Sequence, residues 1–132
     1  MAERVSILVV EDDARIRTIV EYNLRREGFE VWGAGDGPDG LEMARQRIPG
    51  LILLDWMMPR MNGLEVLEKL QEDERTRHIP VFMLTARGML NDADRALEAG
   101  ADGYITKPFN PTELGKTVRD KLLAAGLEKQ KR

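Results

Sequence analysis

Short apolar runs alternate with amphipathic stretches along the chain. The apolar runs lie at residues 5–10, 51–54, 81–84 and 103–106, and a weaker one lies at residues 30–33. Most of them are apolar at consecutive positions, which is typical of strands covered on both faces, as in a parallel sheet. Each run is followed by a stretch with helical character. The pattern therefore predicts five strand–helix units in succession.

Three of the helical stretches carry apolar stripes with the spacing of a buried helix face. These stripes are Ile16, Ile19, Val20 and Leu24, ending at Gly28; Leu64, Leu67 and Leu70; and Leu114, Val118, Leu122 and Ala125. Asn110, Pro111 and Glu113 have the order of a helix N-cap, a first-turn proline and an acidic third residue. Weaker helices are predicted at residues 38–46 and 91–99. Right-handed crossovers then give a doubly wound parallel sheet, with its functional crevice at the carboxyl ends of the strands.

Composition narrows the class of protein. The 132 residues suffice for one domain, and we assign residues 1–125 to it and residues 126–132 to the end of the last helix and a basic tail. The absence of cysteine excludes disulfides and thiolate metal sites. A net charge of -3 argues against direct nucleic-acid binding by this chain. No apolar run approaches the roughly 20 residues that span a bilayer, so we expect a cytoplasmic protein without membrane attachment.

Acidic residues stand at the ends of two predicted strands. The first strand ends in Glu11, Asp12 and Asp13, and the third ends in Asp55. Carboxylates gathered in one place repel each other, and a hard divalent cation with oxygen ligands relieves that repulsion. We expect Mg²⁺, or Mn²⁺ in its place, with Asp12 and Asp55 as direct ligands and Glu11 acting through a water. The backbone carbonyl of Met57 would supply a further oxygen.

The same edge carries groups suited to phosphoryl transfer. Asp55 could act as a nucleophile and form an aspartyl phosphate. Thr85 ends the fourth strand and could donate a hydrogen bond to the phosphoryl group, and Lys107 ends the fifth and could neutralise its charge. Each residue also has a simpler interpretation, such as a helix cap for residues 11–13 or a turn for Asp55. Their combination at four strand ends favours a functional site.

Four segments together resemble the receiver domains of two-component response regulators. They are ILVVEDD at 7–13, LLDWMMPRMNG at 53–63, LTARG at 84–88 and GADGYITKPF at 100–109. The similarity extends from about residue 5 to residue 123, and it looks closest to receivers that precede winged-helix DNA-binding domains. The resemblance implies a flavodoxin-like (βα)5 fold with strand order 2-1-3-4-5.

The resemblance also implies roles for individual residues. Asp55 would be the phosphoacceptor, Glu11 and Asp12 the metal-binding acidic pair, Thr85 the switch hydroxyl, and Lys107 a contact of the phosphoryl group. It further implies a cis peptide between Lys107 and Pro108.

Tyr104 would be the switch aromatic residue, although a strand aromatic packing on a neighbouring helix is an equal alternative. The phosphodonor would be a phosphohistidine on a sensor histidine kinase or a phosphotransfer protein. The output would be a docking partner or an effector domain of a longer chain. The domain would catalyse its own phosphorylation and slow dephosphorylation, and would not turn over an external substrate.

Two departures from the family bear on dimerisation. Receivers linked to winged helices usually pair through charges on the face made by the fourth helix, fifth strand and fifth helix, which is also the expected switching face. Here Asp102 is followed by Gly103, where two aspartates are common. Ala93 and Asp94 stand where basic and apolar residues are more usual. We therefore expect a monomer or a weak homodimer.

Residues after Asp55 and after Thr85 suggest further expectations. Met57 and Arg87 occupy positions that influence the attacking water in the family, and neither side chain favours its attack, so we expect a long-lived phosphorylated state. Met58 is expected to pack beneath the loop and Trp56 to contact a partner.

Two other functions stay open from the residues. A phosphatase related to haloacid dehalogenases would need a second aspartate at position 57, where this chain has Met57. A flavodoxin-like cofactor binder shares the fold class, but the acidic loop at residues 11–13 would repel a phosphate.

Overall fold

The chain forms a five-stranded sheet, and its strands lie at the five predicted apolar runs. The computed structural model describes residues 5–86, 94–95, 97–107 and 110–124, without the side chains of residues 85, 86, 107 and 111. The strands are β1 (Ser6–Val10), β2 (Glu30–Ala34), β3 (Leu51–Asp55), β4 (Val81–Ala86) and β5 (Gly103–Lys107). The helices are α1 (Ala14–Arg26), α2 (Gly37–Arg47), α3 (Gly63–Glu72) and a C-terminal helix (Pro111–Ala124).

All neighbouring strands are parallel, and their order is β2-β1-β3-β4-β5. The predicted doubly wound sheet with order 2-1-3-4-5 is therefore confirmed. Residues 94–95 and 97–98 are helical, and the Ala99 N–H donates to the Arg95 carbonyl at 3.0 Å, in agreement with a helix at 91–99. Ala125 and the proposed tail lie outside the described residues.

Helices cover the sheet on both faces and form two hydrophobic clusters. The first cluster packs α2 and α3 on the sheet through Leu8, Val10, Ile52, Leu54, Met83, Leu41, Ala44, Val66, Leu67 and Leu70. The second packs α1 and the C-terminal helix on the other face through Ile7, Val9, Leu51, Leu53, Phe82, Leu84, Val20, Leu24, Leu114, Val118 and Leu122. Successive strand residues point to opposite faces, so a sheet with two apolar faces needs consecutive apolar residues.

Side-chain caps fix where the helices begin. Asn62 begins α3 with a capping box, in which its side chain accepts from the Glu65 N–H and Glu65 accepts from the Asn62 N–H. The Asn110 side chain accepts from the Thr112 N–H at 3.0 Å, as its predicted role as an N-cap requires. Gly28 follows α1 with a φ of 101°, a conformation that glycine adopts without strain. Within the described part of the chain, no helix has the length and apolar character that a membrane span requires.

Candidate functional site

Three carboxylates gather at the carboxyl edge of the two central strands. One oxygen each from Glu11, Asp12 and Asp55 lies within 4.8 Å of the others. Asp55 ends β3, and Glu11 and Asp12 directly follow β1, whose Val10 pairs with Leu54 of β3. Glu11 and Asp55 are almost fully buried, at 1% and 4% exposure, whereas Asp12 is exposed. The cluster thus consists of two buried carboxylates and one that is exposed to solvent.

This donor set suits a hard divalent cation. Carboxylates this close repel each other, and the repulsion grows when two of them are removed from water. All three side chains offer only oxygen ligands. Mg²⁺ prefers such ligands, and Mn²⁺ also binds them. The residues therefore fit the metal that the sequence led us to expect.

The strand register brings two further predicted positions to the same edge. Asp55 pairs with Leu84, so Thr85 is the next residue of the adjacent strand β4. Thr85 pairs with Thr106 of β5, and Lys107 pairs with Ala86. The backbones at positions 85 and 107 therefore lie at the edge that carries Asp55. Their side chains, Arg87, and the peptide between Lys107 and Pro108 are outside the described residues.

The acidic residues of the loop between β1 and α1 have two different roles. The Asp13 side chain caps α1 by accepting from the Arg15 N–H at 2.9 Å and the Ile16 N–H at 3.3 Å. The helix-cap interpretation is therefore correct for Asp13, whereas Glu11 and Asp12 join the cluster. Because the cap fixes the chain one residue after Asp12, α1 helps to hold the acidic pair in place.

Arg17 is a neighbour of the cluster that the sequence reasoning missed. Its Nη1 atom donates to the backbone carbonyl of Glu11 at 2.7 Å. The sequence offered one indication of this contact. Arg17 lies one helical turn after the Asp13 cap and outside the apolar stripe of α1.

The loop between β3 and α3 contains one correction. Trp56 is only 6% exposed and belongs to the first hydrophobic cluster, so the expectation that it contacts a partner is wrong. Its backbone N–H donates to the Leu84 carbonyl at 3.0 Å, which continues the β3–β4 ladder past Asp55 and turns the indole into the core. Met58 packs beneath the loop, as expected, at 8% exposure. Met57 is 61% exposed and lies two residues after Asp55.

The same loop is anchored closely to the acceptor strand. The Gly63 N–H donates to the Trp56 carbonyl at 2.9 Å. A Cβ atom at Gly63 would lie 2.6 Å from the Asp55 carbonyl oxygen, so only glycine allows α3 to begin this close to the end of β3. Arg60 adds an ion pair from the loop to Asp36, the N-cap of α2, at 3.3 Å.

Tyr104 lies on β5 and is half-buried against the first hydrophobic cluster. This placement agrees with the packing alternative, and its role in switching stays a prediction.

A second group of charges lies at the far end of α3 from Asp55, and the sequence reasoning did not single it out. The Asp73 carboxylate accepts from the side chain and backbone N–H of Arg75 and from Arg45 of α2. The hydrogen bonds from Arg75 lower the pKa of Asp73 from 3.8 to about 2, with a smaller contribution from Arg45. This group joins α2 to α3 and takes no part in the acidic cluster.

The fold and the cluster define a doubly wound α/β protein with an oxygen-ligand site at its topological switch point. Comparison with known families identifies the class: the chain belongs to the response regulator receiver domain family, which matches residues 7–119. Members of this family are signalling domains.

Individual relatives agree with the resemblance to transcriptional regulators. The phosphate regulon transcriptional regulatory protein PhoB of Escherichia coli is 49% identical over 119 residues, which cover 90% of this chain and 51% of that protein. The DNA-binding dual master transcriptional regulator RpaA of Synechocystis is 44% identical over 113 residues, which cover 86% of this chain and 47% of that protein. The chain thus spans about half the length of these relatives.

Solved structures agree with the fold. The chemotaxis protein CheY4 of Vibrio cholerae superposes with a TM-score of 0.84 at 32% identity, covering 91% of this chain and all of that one. The receiver domain of NtrX from Brucella abortus gives a TM-score of 0.80 at 32% identity, covering 89% and 98%.

Proposed function

We propose that this chain is a phosphoacceptor switch that receives a phosphoryl group on Asp55 from a phosphohistidine of a sensor histidine kinase or phosphotransfer protein. A carboxylate oxygen of Asp55 attacks phosphorus, the phosphorus–nitrogen bond breaks, and the departing imidazole takes up a proton. The observation that carries the proposal is the buried Asp55 carboxylate within 4.8 Å of those of Glu11 and Asp12.

The metal would be held by Glu11, Asp12, Asp55 and the backbone carbonyl of Met57. Mg²⁺, or Mn²⁺ in its place, neutralises charge on the phosphoryl oxygens when bound. The protein's own contribution is alignment: β3 fixes Asp55 at a buried strand end, and the Asp13 cap and the Gly63 approach hold the two loops beside it.

Thr85 and Lys107 would complete the site. The Lys107 ammonium would balance charge on the transferred group, and the Thr85 hydroxyl would donate a hydrogen bond to it. Their support is the strand register, since Thr85 lies near the end of β4, which is beside β3, and Lys107 ends β5, which is beside β4. The phosphatase alternative is disfavoured because the side chain two residues after Asp55 is Met57, which cannot act as an acid or base.

Phosphorylation would then shift the chain between two states. Thr85 would move toward the phosphoryl group and Tyr104 would turn inward, changing the face made by residues 91–99, β5 and the C-terminal helix. PhoB and RpaA are transcriptional regulators, and the match to this chain covers 51% and 47% of their length. The output would accordingly pass to an effector domain of a longer chain or to a docking partner. The cytoplasmic location and the absence of nucleic-acid binding by these residues stay predictions.

Intact-mass measurement tests the phosphoacceptor directly. The chain is incubated with a small acyl phosphate and Mg²⁺, and we expect one phosphoryl adduct that chelation of the metal prevents. Asp55→Asn should give none. Asp39→Asn, which changes an exposed aspartate of α2 outside the cluster, should be modified like the wild type. An adduct of equal yield in Asp55→Asn would place the modification elsewhere.

A further inference from the structure

A ladder of three charged side chains runs along α1 beside the acidic loop. Arg17 and Arg25 each lie 3.8 Å from a carboxylate oxygen of Glu21, which stands between them. At one end of the ladder, Arg17 donates to the Glu11 carbonyl at 2.7 Å. At the other end, Arg25 donates to the Val31 carbonyl of the edge strand β2 at 3.0 Å. The ladder therefore connects the end of β1 to β2 through the surface of α1.

Gly33 of the edge strand leaves room for this ladder. A Cβ atom there would collide with the Glu21 carboxylate, whereas one at Gly35 would lie at an ordinary contact distance of 3.4 Å from Arg17 Nη1. The side chains of Arg17 and Glu21 are only 24% and 18% exposed. Freely exposed ion pairs contribute little because water and side-chain entropy oppose them. This pair is instead partly buried and lies against Gly33.

The ladder restrains the residue that precedes Asp12. The Glu11 N–H donates to the Ala34 carbonyl at 3.1 Å, and the Glu11 carbonyl accepts from Arg17, so both backbone groups of Glu11 are held. The next restraint is the cap at Asp13. Asp12 therefore stands between two fixed residues, and the peptide that leads into it cannot rotate without breaking the Arg17 hydrogen bond.

We propose that Arg17 is a positioning residue for the divalent-cation site, acting through the Glu11 carbonyl and held in place by Glu21. The inference rests on the proposed function, because it assumes that Glu11, Asp12 and Asp55 bind the cation. Two effects of Arg17 oppose each other. Its hydrogen bond aligns the acidic pair, whereas its positive charge near the cluster repels a cation. The sign of a mutational effect therefore distinguishes alignment from charge.

The test is a Mg²⁺ titration of the metal-free protein followed by tryptophan fluorescence. A Trp32→Phe background leaves Trp56, the buried neighbour of Asp55, as the reporter. Arg17→Met should weaken Mg²⁺ binding about tenfold, as loss of groups that orient metal ligands does. Arg17→Lys keeps the charge and one donor, and should restore part of the affinity.

Arg15→Met is the matched control. It removes the same charge from the same helix turn, but the Arg15 side chain is 92% exposed and lies 3.9 Å from Asp13 without contacting Glu11. We expect unchanged or slightly tighter Mg²⁺ binding in this variant. Urea unfolding of each variant without metal checks that the fold is kept. If Arg17→Met is unfolded, the Mg²⁺ affinity of Arg17→Lys is compared with that of the wild type instead.

The outcomes separate the two proposals. Equal tightening in Arg17→Met and Arg15→Met would show that Arg17 acts through charge alone and would overturn the inference. Lower stability of Arg17→Met with unchanged Mg²⁺ affinity would make its role purely structural and would also overturn it. In both cases the wild type still binds Mg²⁺, so the proposed function stands. A wild type that binds no Mg²⁺ would instead overturn both.

Discussion

Met57 lies two residues after the proposed phosphoacceptor, and 61% of it is exposed to solvent. A thioether accepts hydrogen bonds only weakly, so Met57 cannot hold a water in line for attack on the aspartyl phosphate. We therefore predict slow hydrolysis in the wild type. Met57→Asn should accelerate it roughly fivefold, the value of one hydrogen bond of about 1 kcal/mol.

The rate is measured by intact mass after removal of the phosphodonor. Leu123→Asn, which makes the same kind of change at an exposed apolar position of the C-terminal helix, should leave it unaltered. Fast hydrolysis in the wild type that Met57→Asn does not change would show that this residue does not govern water attack.

Asp73 provides a pH-dependent contribution to stability away from the site. Hydrogen bonds from Arg75 lower its pKa from 3.8 to about 2 in the folded state. A depressed pKa means that the folded protein favours the ionised form. The stabilisation is therefore fully present above about pH 4 and is lost as the pH falls toward 2.

Urea unfolding of the wild type and Asp73→Asn across this range tests the assignment. The difference in their free energies of unfolding should be constant near neutral pH and should shrink below about pH 4. Glu74→Gln, which removes one negative charge at the neighbouring, 87% exposed position, is measured alongside as the control for a change in net charge. A difference between wild type and Asp73→Asn that is independent of pH would contradict the lowered pKa.

At the scale of elements, α2 ends in an unfavourable backbone conformation. Ile48 follows the helix with φ 45° and ψ 65°, and its N–H still donates to the Ala44 carbonyl at 2.9 Å. A β-branched residue rarely adopts this left-handed region, because its Cβ crowds the following carbonyl. The position is one that glycine would normally fill.

Two truncations at Ile48 measure this strain. Both remove the isoleucine side chain, so its loss largely cancels when their stabilities are compared. Ile48→Gly should be more stable than Ile48→Ala by about 1 kcal/mol in urea unfolding. The same pair at Glu68, an exposed position inside α3, should show the opposite order, with alanine about 1 kcal/mol better. An alanine that is also better at position 48 would show that the left-handed conformation is not retained in solution.

The elements themselves were largely predictable because burial on two faces requires consecutive apolar residues. The carboxyl ends of these strands were predictable as well. β3 ends at Asp55, β4 at Ala86 and β5 at Lys107, where polar residues follow the apolar runs. Backbone pairing with the neighbouring strand extends the ladder to Asp55, which pairs with Leu84, although its side chain is polar.

At the scale of the whole molecule, the gathering of Glu11, Asp12 and Asp55 was predictable because parallel strands end at one edge of the sheet. The burial of Trp56 and the contact of Arg17 with Glu11 were not. Both depend on how a loop or a long side chain folds over its neighbours, and such contacts leave no periodic signal in the sequence. The roles of Thr85 and Lys107 still rest on their strand register and on the family resemblance.

The surface around β5 bears on the oligomeric state. The Asp102 carboxylate accepts from the Val81 N–H at 3.0 Å, and the Asp102 N–H donates to the Val81 carbonyl at 2.8 Å, so this side chain is engaged at the start of β4. Gly103 offers no side chain to a second copy. A dimer built on paired charges would therefore lack the second acidic group of the usual pair, and the first, Asp102, already accepts a hydrogen bond within the chain.

Sedimentation equilibrium tests this expectation before and after phosphorylation. The average mass should stay near that of one 15.0 kDa chain at micromolar concentrations, and Asp55→Asn treated with phosphodonor serves as the unphosphorylated reference. Phosphorylation should tighten any weak association only modestly, because the switch can add no more free energy than its differential contacts provide. A tight dimer that forms only on phosphorylation would require an interface that does not rely on acidic side chains at positions 102 and 103.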